Sequence, residues 1–320
     1  MRTVFLGTSD FAAAVLARLA GEGAAKSEKS EAPRVSPGTA GHGPELVITR
    51  PDRPAGRGRK LTAPPVADAA RVLGLRLAQP QSVNDAETLD LIASTNPDVL
   101  LVCAFGALIK EPLLSAYEIL NVHPSLLPRW RGAAPIERAI MAGDEHTGVS
   151  IMRLTAGLDS GPVCLAQSEP IAPDEDFGSL SDRLQDIGAE LLVRALDTLQ
   201  RGEPLAFSEQ EDSLLTYAEK IGPEDRLLDP DRPAAEVERR IRALHPHIGA
   251  RVALADGALL GVSRAAPTLE PARRRGVYVQ DQRLLLGCAD GALELREVQP
   301  AGKRPMDAQA FLRGHGPPRA

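Results

Sequence analysis

The chain opens on an apolar run, RTVFLGT at residues 2–8, which ends at Gly7 and passes at once into DFAAAVLARLAGEG. Apolar residues in the second stretch recur at helical spacing, so the pattern predicts a buried strand, a glycine turn and a helix capped by Asp10. Residues 24–44 break the rhythm: they are rich in Ser, Gly, Pro and charge, show no periodicity, and read as a flexible insertion. ELVIT at 45–49 restores a strand, RPDRPAGRGRKL at 50–61 reads as a basic loop, and PVADAARVLGL at 65–75 as a helix, with a further helical segment at 83–95. PDVLLVCAF at 97–105 is almost wholly apolar, the mark of a central parallel strand covered on both faces. EILNV at 118–122, the helix APIERAIMAG, the strands TGVSIMRL and VCLAQSEPI, and a long amphipathic helix at 180–202 complete this block.

Beyond it the texture changes. One helix, AAEVERRIRAL at 234–244, precedes five short alternating strands separated by Gly and Asp turns, a spacing that predicts a small β-barrel or sandwich. Strands alternating with helices in the first block predict a doubly wound, mostly parallel Rossmann-like α/β sheet with right-handed crossovers. The expected organisation is therefore a catalytic domain over 1–204, carrying the insertion at 24–44, and a smaller C-terminal OB-like β-barrel over 205–320.

Composition adds limits more than identity. At 320 residues the chain exceeds the size at which one core usually stops growing. The longest apolar run, VLLVCAFGALI, falls short of the roughly 18 residues of a membrane span, and the N-terminus lacks a signal core, so a cytoplasmic protein with no membrane partner is expected. Cys103, Cys164 and Cys288 are scattered without CxxC or neighbouring His, and are expected to be reduced core thiols with no metal. Net charge is −6, yet from residue 206 onward 17 Arg and Lys balance 17 Asp and Glu, so the acid excess lies upstream and the C-terminal third can still present a basic face.

The chemistry concentrates in ILNVHPSLLPRWRGAAP and, further on, GLDSG. Strand side chains alternate, so Asn121 and His123 share a face that Val122 does not. Pro124 keeps His123 extended, at the carboxyl end of its strand, where open α/β sheets bind ligands. Asp159 stands between Gly157 and Gly161. An amide, an imidazole and a carboxylate form a set suited to acyl transfer to an amine: the first two can stabilise an oxyanion and the third can orient the imidazole and help remove a proton. No Ser or Cys nucleophile is needed, because a neutral amine attacks for itself. LGTSDF lacks GxGxxG, which argues against a dinucleotide oxidoreductase. A non-catalytic RNA-binding protein would account for the basic loop and leave the three polar residues without a task.

The stretch from NVHPSLLPRWRG to GLDSGPV resembles the signature region of the folate-dependent formyltransferases, whose catalytic Asn, His and Asp match Asn121, His123 and Asp159. The likeness extends to MRTVFLGTSDF, RPDRPAGRGRKL, VLLVCAFG, TYAEKI at 216–221 and QPAGKRPMDAQAFLRGH, so it covers the chain outside 24–44. It implies transfer of the formyl group of 10-formyltetrahydrofolate to the amino group of methionine on initiator tRNA, by a monomer using no metal. It also implies that Ser125, Leu126, Leu127 and Pro128 form the wall that receives the folate, two leucines between prolines offering a pterin ring an apolar ledge. Arg53, Arg57, Arg59 and Lys60 are the expected tRNA contacts on the basic loop, and arginines at 239, 240, 242 and 273–275 an expected phosphate surface. Pro124 and Pro162 are reminiscent of the folate hydrolases with the same triad. Family members acting on nucleotide sugars or other small amines are the nearest alternative, disfavoured by the C-terminal β domain and GRGRK.

Overall fold

The computed structural model describes residues 1–21, 41–55 and 58–315. The first strand, β1 (Thr3–Gly7), is buried along its whole length and leads into α1 (Asp10–Leu19). Ser9, not Asp10, is the cap: its hydroxyl accepts from the Ala12 N–H, while Asp10 opens the first turn, where its charge suits the helix dipole. Of the expected insertion, residues 24–40 lie outside the described residues; at its end His42 is buried, with Nε2 2.8 Å from Asp197 Oδ1.

β2 (Leu46–Ile48) is followed by a two-stranded hairpin, β3 (Arg53–Ala55) and β4 (Lys60–Thr62), where the sequence suggests a loop. The hairpin escapes the alternation rule because it stands apart from the main sheet, and Pro54 is compatible with a strand that has no partner on its other side. Then come α2 (Pro65–Val72), β5 (Leu77–Ala78), α3 (Ala86–Ser94), β6 (Val99–Cys103), α4 (Leu113–Ala116), β7 (Ile119–His123), β8 (Arg131–Gly132), α5 (Pro135–Ala142), β9 (His146–Arg153), β10 (Val163–Pro170) and α6 (Phe177–Gln200). The main sheet has the order β10-β9-β7-β6-β1-β2-β5. β1, β2, β5, β6 and β7 run parallel, and β9 joins antiparallel to β7, as the doubly wound, mostly parallel expectation requires.

Chain order reverses between β1 and β6, so the switch point of the sheet lies there, one strand from the carboxyl end of β7. Val4, Leu6, Leu46, Ile48, Leu100 and Val102 fill one side of the core. Val122 faces the other side: a Cβ on Gly188 of α6 would come within 2.9 Å of its Cγ1, so only glycine lets the helix seat there. That placement leaves Asn121 and His123 on the opposite face.

By compactness the chain divides into two units. The first comprises 1–131, 148–169 and 182–216; the second comprises 132–147, 170–181 and 217–320. The second contains β11 (Tyr217–Ala218), α7 (Ala234–Leu244) and an antiparallel sheet of β12 (Ala250–Ala253), β13 (Leu259–Pro267), β14 (Gly276–Gln280), β15 (Arg283–Gly287), β16 (Ala292–Gln299) and β17 (Met306–Asp307), closed by α8 (Ala308–His315). The strand order is β12-β13-β16-β15-β14 with β17 on β16, a curled half-barrel whose core includes Val252, Leu260, Leu286, Leu293 and Val298 beneath Ile241 and Leu244. α5 packs against α7 in this unit, tied by Arg138, whose two terminal nitrogens reach the two oxygens of Asp225 at 2.8 and 2.9 Å.

Candidate active site

β7 delivers Asn121 and His123 to the carboxyl edge of the sheet, both buried, at 7% and 4% exposure. The Asn121 carboxamide makes no side-chain hydrogen bond to a described residue, so its two N–H donors are uncommitted. His123 is held by a group that no side-chain motif discloses: its Nε2 lies 2.9 Å from the carbonyl oxygen of Trp130. A carbonyl only accepts, so Nε2 carries the hydrogen and Nδ1 is the nitrogen that gains or gives a proton. Nδ1 faces Asp159, with Oδ2 at 3.8 Å, a distance of strong electrostatic interaction and longer than a direct hydrogen bond. The structure thus brings together the three residues that the sequence nominates.

The loops around them are bent into sparsely populated backbone. Ala104 after β6, Trp130 and Asp159 all have positive φ, at 42°, 63° and 44°, although none is glycine. Such conformations cost of order 1–3 kcal/mol each and persist where the surroundings over-determine them. For Asp159 the surroundings include Gly161, where a Cβ would collide with the carbonyl oxygen of Arg153.

The 124–130 turn is compact. Ser125 is fully buried; its hydroxyl donates to the Arg129 carbonyl at 2.6 Å, and its own carbonyl accepts from Ser150 Oγ at 2.7 Å. Ser150 Oγ also accepts the Leu127 N–H at 3.2 Å. Leu126 and Leu127 are half-buried; Leu126 lies against the backbone at Gly148, where a Cβ would clash with Leu126 Cδ2 and with the Gln167 carbonyl. Pro128 is buried, its carbonyl accepting the Thr216 N–H.

Of the basic residues, Arg53, Arg59 and Lys60 are exposed on the β3–β4 hairpin and form no ion pair with a described carboxylate. Arg57 lies outside the described residues. The hairpin follows the carboxyl end of β2, which by parallel pairing is the same edge of the sheet as the carboxyl end of β7. The α7 arginines are not a free phosphate surface. Arg239 Nε donates to the Met141 carbonyl, Arg240 to that of Asp225, and Arg242 to both oxygens of Glu238 and to the Glu175 carbonyl. An amphipathic helix places these long side chains over its own interface, where their donors find backbone oxygen before any outside anion. In the 273–275 run, Arg274 donates to the Val277 carbonyl, and Arg275 to that of Cys288 besides lying 3.5 Å from Asp231.

The cysteines are free, and burial pushes the thiols of Cys164 and Cys288 up to about 11 and that of Cys103 higher still. Among the described residues no group of three or more His, Cys, Asp or Glu is arranged to hold a metal ion, and no helix is long and apolar enough to cross a membrane.

Comparison with known proteins places this geometry. Residues 1–196 match the family model of the formyl transferases, and residues 220–316 that of the formyl transferase C-terminal domain. Methionyl-tRNA formyltransferase of Brucella ovis is 41% identical to the chain over 320 residues, with 98% of each covered, and that of Brucella anthropi matches equally. Among solved structures, WlaRD, a sugar 3N-formyl transferase crystallised in the presence of dTDP and 5-N-formyl-THF, shares the fold with a TM-score of 0.64 at 14% identity, over 95% of this chain and 99% of that one. HypX from Aquifex aeolicus in complex with tetrahydrofolic acid has a TM-score of 0.63 at 17% identity; 98% of this chain aligns to 47% of HypX, about half its length. With both family models matched in order, and together spanning nearly the whole chain, this protein belongs to the formyl transferase family.

Proposed function

We propose that the chain transfers the formyl group of 10-formyltetrahydrofolate to the free amino group of methionine carried by initiator tRNA. The observation that carries this reading is the set at the carboxyl edge of β7, in which the buried, uncommitted Asn121 amide, the buried His123 Nδ1 and the half-buried Asp159 carboxylate stand together. The folate supplies a formyl carbon bonded to a nitrogen leaving group. The amine nitrogen bonds to that carbon, the bond from carbon to the folate nitrogen breaks, and the proton lost by the amine ends on the departing nitrogen.

Asn121 donates to the oxygen on which negative charge develops, and a protonated His123 adds a second donor from Nδ1. Asp159 faces Nδ1 and helps the attacking nitrogen lose its proton. Leu126, Leu127 and Pro128 form the ledge for the folate, and Ser125, with its polar atoms engaged inside the turn, holds that ledge in shape. Much of the rate comes from keeping carbon and amine in contact, which a rigid ledge beside a rigid strand end provides.

Arg53, Arg57, Arg59 and Lys60 contact the tRNA near the methionine, and the C-terminal domain over 205–320 holds the rest of the tRNA through its phosphates. The half-barrel and the exposed cations Arg53, Arg59 and Lys60, which pair with no described carboxylate, support this assignment, as does full-length likeness to relatives named for methionyl-tRNA. The protein works as a cytoplasmic monomer. The test is direct: incubate it with 10-formyltetrahydrofolate and charged initiator tRNA and measure formylmethionine. Product from the wild type and almost none from His123→Ala is expected; no product from the wild type would refute the reading.

A further inference from the structure

Residues 208–216 run beside the candidate site and are bonded to it at several points. Ser208 and Val163 exchange two backbone hydrogen bonds, both 2.9 Å, which pin the start of the segment to β10. At its end Thr216 accepts the Trp130 N–H on Oγ1 at 2.9 Å and the Arg131 N–H on its carbonyl at 3.0 Å. Between these anchors stands Gln210. Its Nε2 donates to the carbonyl of Asp159 at 2.8 Å and to that of Gly161 at 2.7 Å, and its Oε1 accepts from Arg131 Nε at 2.8 Å.

Only one orientation of the amide satisfies all three bonds. Carbonyls cannot donate and a guanidinium cannot accept, so turning the amide over would set N–H against N–H and oxygen against two oxygens. Arg131 is 5% exposed and is further engaged by Asp212, which makes it a fixed reference for the amide. The backbone held from the other side is the stretch in which Asp159 adopts its φ of 44°.

We propose that Gln210 is a positioning residue for formyl transfer: its carboxamide clamps the left-handed backbone at Asp159 and so keeps the carboxylate at Nδ1 of His123. This rests on the functional reading above, in which Asp159 takes part in the reaction. A carboxylate released from the clamp drifts from the ring, and a displacement of about 1 Å can cost on the order of a hundredfold in rate. Substrate binding, which depends on the ledge and the hairpin, is left alone.

The test uses the full-length enzyme with Gln210→Met, which keeps the length and loses all three bonds, and Gln210→Glu, which keeps an acceptor for Arg131 and sets oxygen against two carbonyls. Both are expected to lower kcat by roughly tenfold to a hundredfold, with KM for the folate and for charged tRNA unchanged within about twofold. In an Asp159→Asn background, Gln210→Met is expected to add less than about a twofold further loss, because the clamp then has nothing to position. Wild-type kcat in Gln210→Met, or an equal loss in both backgrounds, overturns the proposal. Should Gln210→Met fail to fold, Gln210→Asn, one methylene short of the carbonyls, carries the same comparison. Failure of the underlying reading looks different: the wild type itself makes no formylmethionine, or Asp159→Asn alone leaves turnover intact.

Discussion

The imidazole of His123 is suspended between two oxygens of different kinds, the Trp130 carbonyl 2.9 Å from Nε2 and the Asp159 carboxylate 3.8 Å from Nδ1. The first fixes the tautomer and the second sets the charge that the free nitrogen faces. Proton traffic is thereby confined to one atom of the ring.

Removing any member of the set should lower turnover while sparing the fold. His123→Ala, Asn121→Ala and Asp159→Ala are each expected to reduce kcat for formylmethionyl-tRNA formation by about two to four orders of magnitude, the range of an oxyanion donor or a general acid and base. Thermal melts should stay close to wild type. A His123→Ala enzyme with near-normal turnover would remove His123 from the chemistry.

Gly161 is expected to tolerate no side chain. A Cβ there meets the Arg153 carbonyl oxygen, a backbone atom that cannot swing aside, so Gly161→Ala should destabilise by about 1–3 kcal/mol and lower kcat as the Asp159 loop shifts. Chemical denaturation combined with steady-state kinetics reads both. Unchanged stability would mean that the β9–β10 loop adapts.

Acid should loosen the half-barrel unit through Asp225. Burial alone would raise this carboxyl, yet the paired hydrogen bonds from Arg138, the Gly222 N–H and the charges of Arg138 and Arg240 outweigh it and hold the group below its ordinary value. A carboxyl depressed in the folded state contributes stability above its unfolded pKa and loses it as pH falls through the folded one. Arg138→Ala should therefore cost roughly 3 kcal/mol at neutral pH, and the deficit should shrink below about pH 4. Melting profiles between pH 7 and pH 3 decide it; a deficit independent of pH would assign Arg138 a packing role only.

In the basic segment 50–61, Arg57→Ala or Arg59→Ala should leave folate binding intact and cut kcat/KM on charged initiator tRNA by tenfold or more, about 1.4 kcal/mol. The loss should shrink on a minimal acyl-amine acceptor without RNA. Equal losses on both acceptors would show that the hairpin serves the fold or the chemistry and not the tRNA.

Much of this architecture was legible because it depends on local chemistry. A short, nearly continuous apolar run marks a strand buried on both faces, and Val99–Cys103 is one. Proline after His123 ends its strand where ligands bind, and β7 ends there. The larger misses depend on partners distant in sequence, while the helix cap is a local choice between two adjacent residues. Asp10 looks like a cap until Ser9, with extended backbone, is seen to take the Ala12 N–H. The arginines of α7 read as a basic face because the carbonyls that engage them, at Met141, Glu175 and Asp225, are set beside them only by folding. Gln210 carries no motif at all: its weight comes from three bonds to residues 49 to 79 positions away.

Because the acceptor for His123 Nε2 is main-chain oxygen, no point substitution can delete it. A side-chain scan across the 124–130 turn would replace the Trp130 indole, leave that oxygen in place, and score the position as dispensable. The vulnerability migrates to the groups that hold the turn: the Arg131 N–H, in the same peptide plane as that oxygen, donates to the Thr216 carbonyl, and the peptide unit before it is held by Thr216 Oγ1 on the Trp130 N–H and Ser125 Oγ on the Arg129 carbonyl. Variants at Ser125 or Thr216 would mimic an injured imidazole with Asn121, His123 and Asp159 all still present, and a map of function drawn by mutagenesis would show its losses away from the oxygen responsible.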